Sequence, residues 1–189
     1  DSLTLDPDDT SLWALSVNGN DLEASFQGVP QTFVIPADPA DTSILPDGSG
    51  RHAASATHRV GRRGSGPENY VYVMPFELPD LKGGVIQSAE ISVNVSGWGS
   101  GGSGIENLDL YGSDFYRFLP SCFDPIFYVD GSNPTNTDMS LAHDNMVEQS
   151  EIAANGFGVK TTGDLATYIQ DYYDDGAQPG AFAFFALTN

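Results

Sequence analysis

Four arginines, Arg51, Arg59, Arg62 and Arg63, fall within thirteen positions of a chain that has seven basic residues against 26 acidic ones. Guanidinium forks match carboxylate and sulfate geometry, two bonds at a time. Two partners therefore suit the cluster: an anionic polysaccharide, or protein carboxylates in the same chain or a neighbouring copy. The formal charge of −19 favours the second. It repels a polyanion at long range, whereas the protein's own carboxylates are already at hand. Gly61, Gly64 and Gly66, interleaved with these arginines, let the backbone approach a neighbouring surface closely.

The carboxylates come next. Asp outnumbers Glu by 19 to 7, and three aspartate-rich stretches sit at turn signals. They are DPDDT (Asp6, Asp8, Asp9), DPADTSILPDG (Asp38, Asp41, Asp47) and YVDGSNPTNTD (Asp130, Asn133, Asp138). Clustered oxygens near a turn suit calcium, although none of the three follows the twelve-residue loop that ends in Glu. The same residues also form ordinary Asx-turns. Calcium is the one cofactor the sequence suggests.

Catalytic chemistry has little to stand on. His52, His58 and His143 show no close ligand spacing. Cys122 is alone, so no internal disulfide forms, and it suits a small buried position. With 26 acids, carboxylate pairs arise by chance. No enzyme is expected. Asn94-Val95-Ser96 is a glycosylation sequon on the expected wet face of a strand. The negative charge excludes nucleic acid and anionic membranes as partners. No apolar run reaches the length of a membrane-spanning helix.

The elements that must position these groups are mostly strands. In SAEISVNVSGW, Ala89, Ile91, Val93 and Val95 alternate with polar residues, which predicts a long strand with one wet face. DLEASF alternates over a shorter span, and in SLWALSV the residues Trp13, Leu15 and Val17 are expected to be buried, in their own domain or against a neighbouring copy. NYVYVMPFEL alternates too, with Pro75 predicting an edge or a bulge. QTFVI, IENLDLYG, PIFYVDG and GAFAFFAL complete the strands, the last apolar on both faces and so expected at a sheet centre.

One segment has helical spacing. Leu165, Tyr168, Ile169 and Tyr172 make an amphipathic stripe, with Thr161 and Asp164 as a capping box and Gly176 as the stop. LAHDNMVEQSEIAA suggests a weaker turn or helix, and residues 36–69 a long loop around the arginines. The fold expected is all-β, an antiparallel β-sandwich with one short amphipathic helix near the C-terminus. It is expected as a single domain over 1–189: N-terminal strands to 35, the arginine-containing loop, then a core over 70–189.

VYVMPFELPDLKGGVIQSAEISVNV, LDLYG, LAHDNMV and GDLATYIQDYYDDGAQPGAFAFFALTN together resemble the secreted jelly-roll modules of the DNRLRE type, over about residues 70–189. That resemblance implies a jelly roll similar in plan to carbohydrate-binding modules and a place at the cell surface. Residues 1–69 depart from the pattern. A start at Asp1 rather than at a methionine is expected of a processed, secreted chain. Two functions fit: a structural or adhesive subunit that assembles with copies of itself outside the cell, or a calcium-stabilised polysaccharide-binding module. The first is preferred, because an arginine-rich loop meeting the next copy's carboxylates offsets the repulsion between acidic copies.

Overall fold

The structure, a computed structural model, describes residues 12–18, 21–27, 32–46, 49–51, 58–62, 69–97, 107–119, 122, 125–129, 139–153 and 156–189. The chain divides into two units, residues 1–34 and 35–189.

The first unit holds a hairpin of β1 (Leu12–Asn18) and β2 (Asp21–Gln27). Their antiparallel register runs from Leu12 opposite Gln27 to Asn18 opposite Asp21.

The second unit contains β3 (Thr42–Ile44), β4 (Gly50–Arg51), β5 (Gly61–Arg62), β6 (Asn69–Glu77), β7 (Ser92–Val95), β8 (Leu108–Ser113), β9 (Met139–Val147), β10 (Gly158–Thr161) and β11 (Phe182–Thr188). It also holds α1 (Gln149–Ala153), α2 (Ala166–Asp174) and a 3-10 turn at Pro125–Phe127. Seven strands form one antiparallel sheet in the order β4-β3-β6-β11-β8-β9, with β5 also paired to β6, while β7 and β10 make a separate ribbon.

Period-two alternation explains why both faces of the large sheet are buried. On β11, Ala183, Phe185 and Leu187 join Met74 and Leu110 on one face, beneath Leu165 and Tyr172 of the α2 segment and Ile91. Phe184 and Ala186 join Ile44, Val71 and Val73 on the other face, beneath Cys122, Phe127 and Val129. Phe127 stacks on Phe184 with ring centres 4.3 Å apart. The doubly apolar β11 lies at the sheet's centre, between β6 and β8, as its composition requires.

The class expected from the sequence is the class observed: all-β, antiparallel and sandwich-like, with α2 the amphipathic helix near the end. The strand order by itself assigns no jelly roll. Several details differ. PIFYVDG forms no strand over its described residues 125–129 but the 3-10 turn and its continuation; its alternation reports burial of Phe127 and Val129, not a ladder. QTFVI forms no strand over its described residues 32–35, and LAHDNMV is the edge strand β9, with helix only at Gln149–Ala153. Among its described residues the long loop 36–69 contains three short strands, including the wholly buried β3. Pro75 lies in an inner strand, yet its flank toward β3 is open because β3 reaches only Val73. There Pro75 merely accepts from the Asp38 amide at 2.8 Å, so its missing N–H costs no ladder bond.

The long strand around Ile91 alternates as expected from Ser88 to Val95, but its ladder covers Ser92–Val95 alone. Upstream, Thr162 Oγ1 accepts from the Ile91 amide at 3.0 Å and Asp164 Oδ1 from the Ala89 amide at 3.1 Å. Asp164 Oδ1 also accepts from the Ala166 amide at 2.9 Å. The expected Thr161–Asp164 box is absent, because Thr161 is held in β10 opposite Ser92. Gly176, at φ +100, ends α2 as expected: its amide and that of Ala177 bond back to Tyr173 and Tyr172.

Candidate functional site

Ser43 organises the end of the sheet where the arginines gather. As the middle residue of β3 it is fully buried, and its hydroxyl needs partners. It donates to the Arg59 carbonyl and accepts from the Arg59 amide, both at 2.8 Å. Across the ladder Ser43 faces Arg51 of β4 on one side and Tyr72 of β6 on the other. Gly61 opens β5 at φ +87, a conformation that suits glycine, and Arg62 then pairs with Asn69. The fold thus brings the backbones of Arg51, Arg59 and Arg62 to one end of the sheet, with Arg59 exposed. Arg63 lies outside the described residues.

Beside Arg59 a polar clasp fastens the 58–60 segment to the sheet. The Tyr72 hydroxyl donates to Asp41 Oδ2 at 2.5 Å, and His58 Nε2 lies 3.4 Å from Asp41 Oδ1. The His58 ring stacks on Tyr72 at 4.6 Å and 13°. His58 Nδ1 is buried without a partner. Burial first, then the hydrogen bond to Asp41 and its charge, push the Tyr72 hydroxyl far above its ordinary range. Tyr72 is therefore a fixed donor. Sequence reasoning missed this clasp, whose residues come from three separate segments. Alternation could have placed Tyr72 on a face, but nothing local pairs it with Asp41.

The other candidates are not drawn together. Asp38 caps its own turn, accepting from the Ala40 amide at 2.9 Å, while Asp41 serves the clasp. Asp6, Asp8, Asp47, Asp130 and Asp138 lie outside the described residues, and among the described ones no group of three or more His, Cys, Asp or Glu could hold a metal. Cys122 is buried; that burial, with Asp38 and Asp41 nearby, pushes its thiol up to about 12. It stays protonated and unreactive at neutral pH. His143 Nε2 instead accepts from the Gly163 amide at 3.3 Å. Asn94 is exposed on β7, as its place in the alternation required. Trp13, Leu15 and Val17 lie on β1, along one face by register.

A groove between the turn at 81–84 and α2 is lined by Asp80, Lys82, Gln170, Tyr173 and Asp174. Its polar groups are largely engaged within the fold. Tyr173 donates to the Pro79 carbonyl at 2.9 Å, and Gln170 accepts from the Ile86 amide at 3.0 Å.

Among the described residues no helix is long and apolar enough to cross a membrane. Comparison with protein-family models, curated proteins and solved structures finds no match.

Proposed function

We propose that this chain is a non-catalytic, extracellular structural or adhesive subunit that assembles with copies of itself, with the arginine-bearing end of the sheet as a contact. The observation that carries the reading is the gathering of Arg51, Arg59 and Arg62 around β3 and β6 in a chain of net charge −19. Concentrated positive charge on an acidic body matches the rest of that body. Exposed carboxylates stand ready on a neighbour, for example Asp171, Asp174 and Asp175 at the end of α2. At about 0.15 M salt the screening length is roughly 8 Å, so repulsion between whole bodies fades while close ion pairs persist. The resemblance to secreted modules agrees with an extracellular place.

The test is particle mass by light scattering at physiological salt, for the native chain and for Arg59→Ala with Arg62→Ala. The native chain is expected to exceed the mass of one chain and the double variant to fall toward it, with the melting midpoint retained. A single-chain mass for the native protein, together with acidic-glycan binding that the variant loses, overturns the reading in favour of a polysaccharide-binding module. Calcium bound by the aspartate-rich loops belongs to the same proposal. Melting with and without chelator checks it, since a ligand of the folded state raises the midpoint. Equal midpoints remove calcium.

A further inference from the structure

We infer that the β1–β2 hairpin is a second assembly element whose apolar face is covered by the same face of a second copy; this rests on the self-assembly reading above. The register aligns Trp13 with Phe26, Leu15 with Ala24 and Val17 with Leu22. Because successive residues alternate across a strand, these six share one face. Leu12 with Gln27, Ala14 with Ser25, Ser16 with Glu23 and Asn18 with Asp21 share the other. One face is therefore wholly apolar, and both carboxylates of the hairpin belong to the opposite one.

Such a ribbon does not stand by itself in water. Among the described strands, β1 and β2 pair only with each other. A two-stranded sheet is marginal without something against its apolar face. The two aromatics alone bring about 300–500 Å². The four aliphatic residues extend this toward the roughly 800 Å² per partner of a stable interface.

A second copy suits this face for two reasons. A two-fold contact sets the bulky Trp13–Phe26 pair of one hairpin over the smaller Val17–Leu22 pair of the other, with Leu15–Ala24 near the axis. Such self-complementarity is what an isologous interface requires. The contact is also uncharged, with Asp21 and Glu23 on the outer faces, so it adds no close repulsion between two acidic chains. The product is a two-layer, four-stranded sandwich with its layers about 10 Å apart.

Proximity of Ala24 to the axis makes this testable in the full chain. Ala24→Cys and Ser25→Cys are each treated with a short bis-maleimide and run on a denaturing gel, with the native chain, whose Cys122 is buried, as control. Most of the Ala24→Cys chains are expected as covalent dimers, and the Ser25→Cys and native chains as monomers. Ala24→Cys that takes up a monofunctional maleimide but yields no dimer overturns the inference, since the face is then open. Ala24→Cys that reacts with neither reagent, in a protein whose particle mass Trp13→Ser leaves unchanged, overturns it as well, since the face is then covered within one chain. As a check that needs no new cysteine, Trp13→Ser is expected to lower particle mass; an unchanged mass counts against the inference. Arg59→Ala with Arg62→Ala should leave the Ala24→Cys cross-link intact. If the cross-link fails while the native particle still exceeds one chain, the arginine contact stands and the hairpin contact falls. A native particle of one chain removes both.

Discussion

Asp164 serves two backbone amides from different parts of the chain, Ala89 and Ala166, through one carboxylate oxygen. Those two bonds hold its carboxyl below the usual aspartate range. The charged form is thus the one the fold prefers. Its stabilising effect is present above the ordinary aspartate value and is lost as pH falls through the lowered one. Asp164→Asn is accordingly expected to lower the melting midpoint at pH 7 and to flatten its decline toward pH 3. Equal slopes on the acid side would assign the decline to other carboxylates. Tyr172 makes a second case. Its buried hydroxyl donates to the Ser113 carbonyl at 2.8 Å, tying α2 to β8. Tyr172→Phe should cost about 0.5–1.5 kcal/mol in denaturant unfolding, the net worth of such a bond. The sequence offered Asp164 only as the far end of a box with Thr161; its reach to Ala89 was not legible, because the two meet only through tertiary folding.

Among the elements, residues 122 and 125–129 show how side chains outside any described strand seal one face of the sheet. Phe127 is fully buried, stacks on Phe184 and meets Tyr116 edge-on at 5.6 Å. Phe127→Ala should cost about 3–5 kcal/mol, the usual penalty for emptying such a site. A loss below 1 kcal/mol would mean that the segment is not the cover described. On the other face, Gly112 makes room for α2. A Cβ there would meet the Tyr168 hydroxyl oxygen at 2.5 Å and its ring at 2.8 Å, so Gly112→Ala is expected to cost roughly 1–3 kcal/mol. These elements differ in how far the sequence reveals them. α2 and β11 were legible because long apolar patterns of period 3.6 and 2 leave little choice. PIFYVDG misled because alternation marks which side chains are inside, while hydrogen bonding decides whether a segment is a strand. Three-residue β3 left no pattern, and the buried Ser43 within it gave no apolar signal at all.

At the scale of the whole molecule, the class of fold follows from strand number and turn chemistry, but the sheet order does not. Placing β6 beside β11 joins segments over a hundred residues apart, and no local pattern encodes that pairing. The arginine cluster has the same history. Its density was plain in the sequence, yet the convergence of Arg51 and Arg59 on Ser43 requires β3, three residues with no periodic apolar signal around them. The sheet's two ends are unlike. One finishes in the two-residue β4, and the other in β9, which is irregularly registered on β8 and carries Asp144 on its exposed length. Short, kinked and charged edges resist indiscriminate strand pairing. In the proposed assembly, contacts between copies fall to the arginines and the hairpin.

The central position of β11 also sets an order in time. β6 and β8 each pair with a strand that leaves the ribosome after both of them, so the sheet cannot close until residue 188 has emerged. Until then two apolar strands wait without their shared neighbour, and the chain remains exposed to binding partners and proteases. Long-range pairing of this kind also makes folding slow. Chains lacking residues 181–189 should therefore show no cooperative melting transition, whereas emergence of those residues should convert a protease-sensitive nascent chain into a resistant one in a single step.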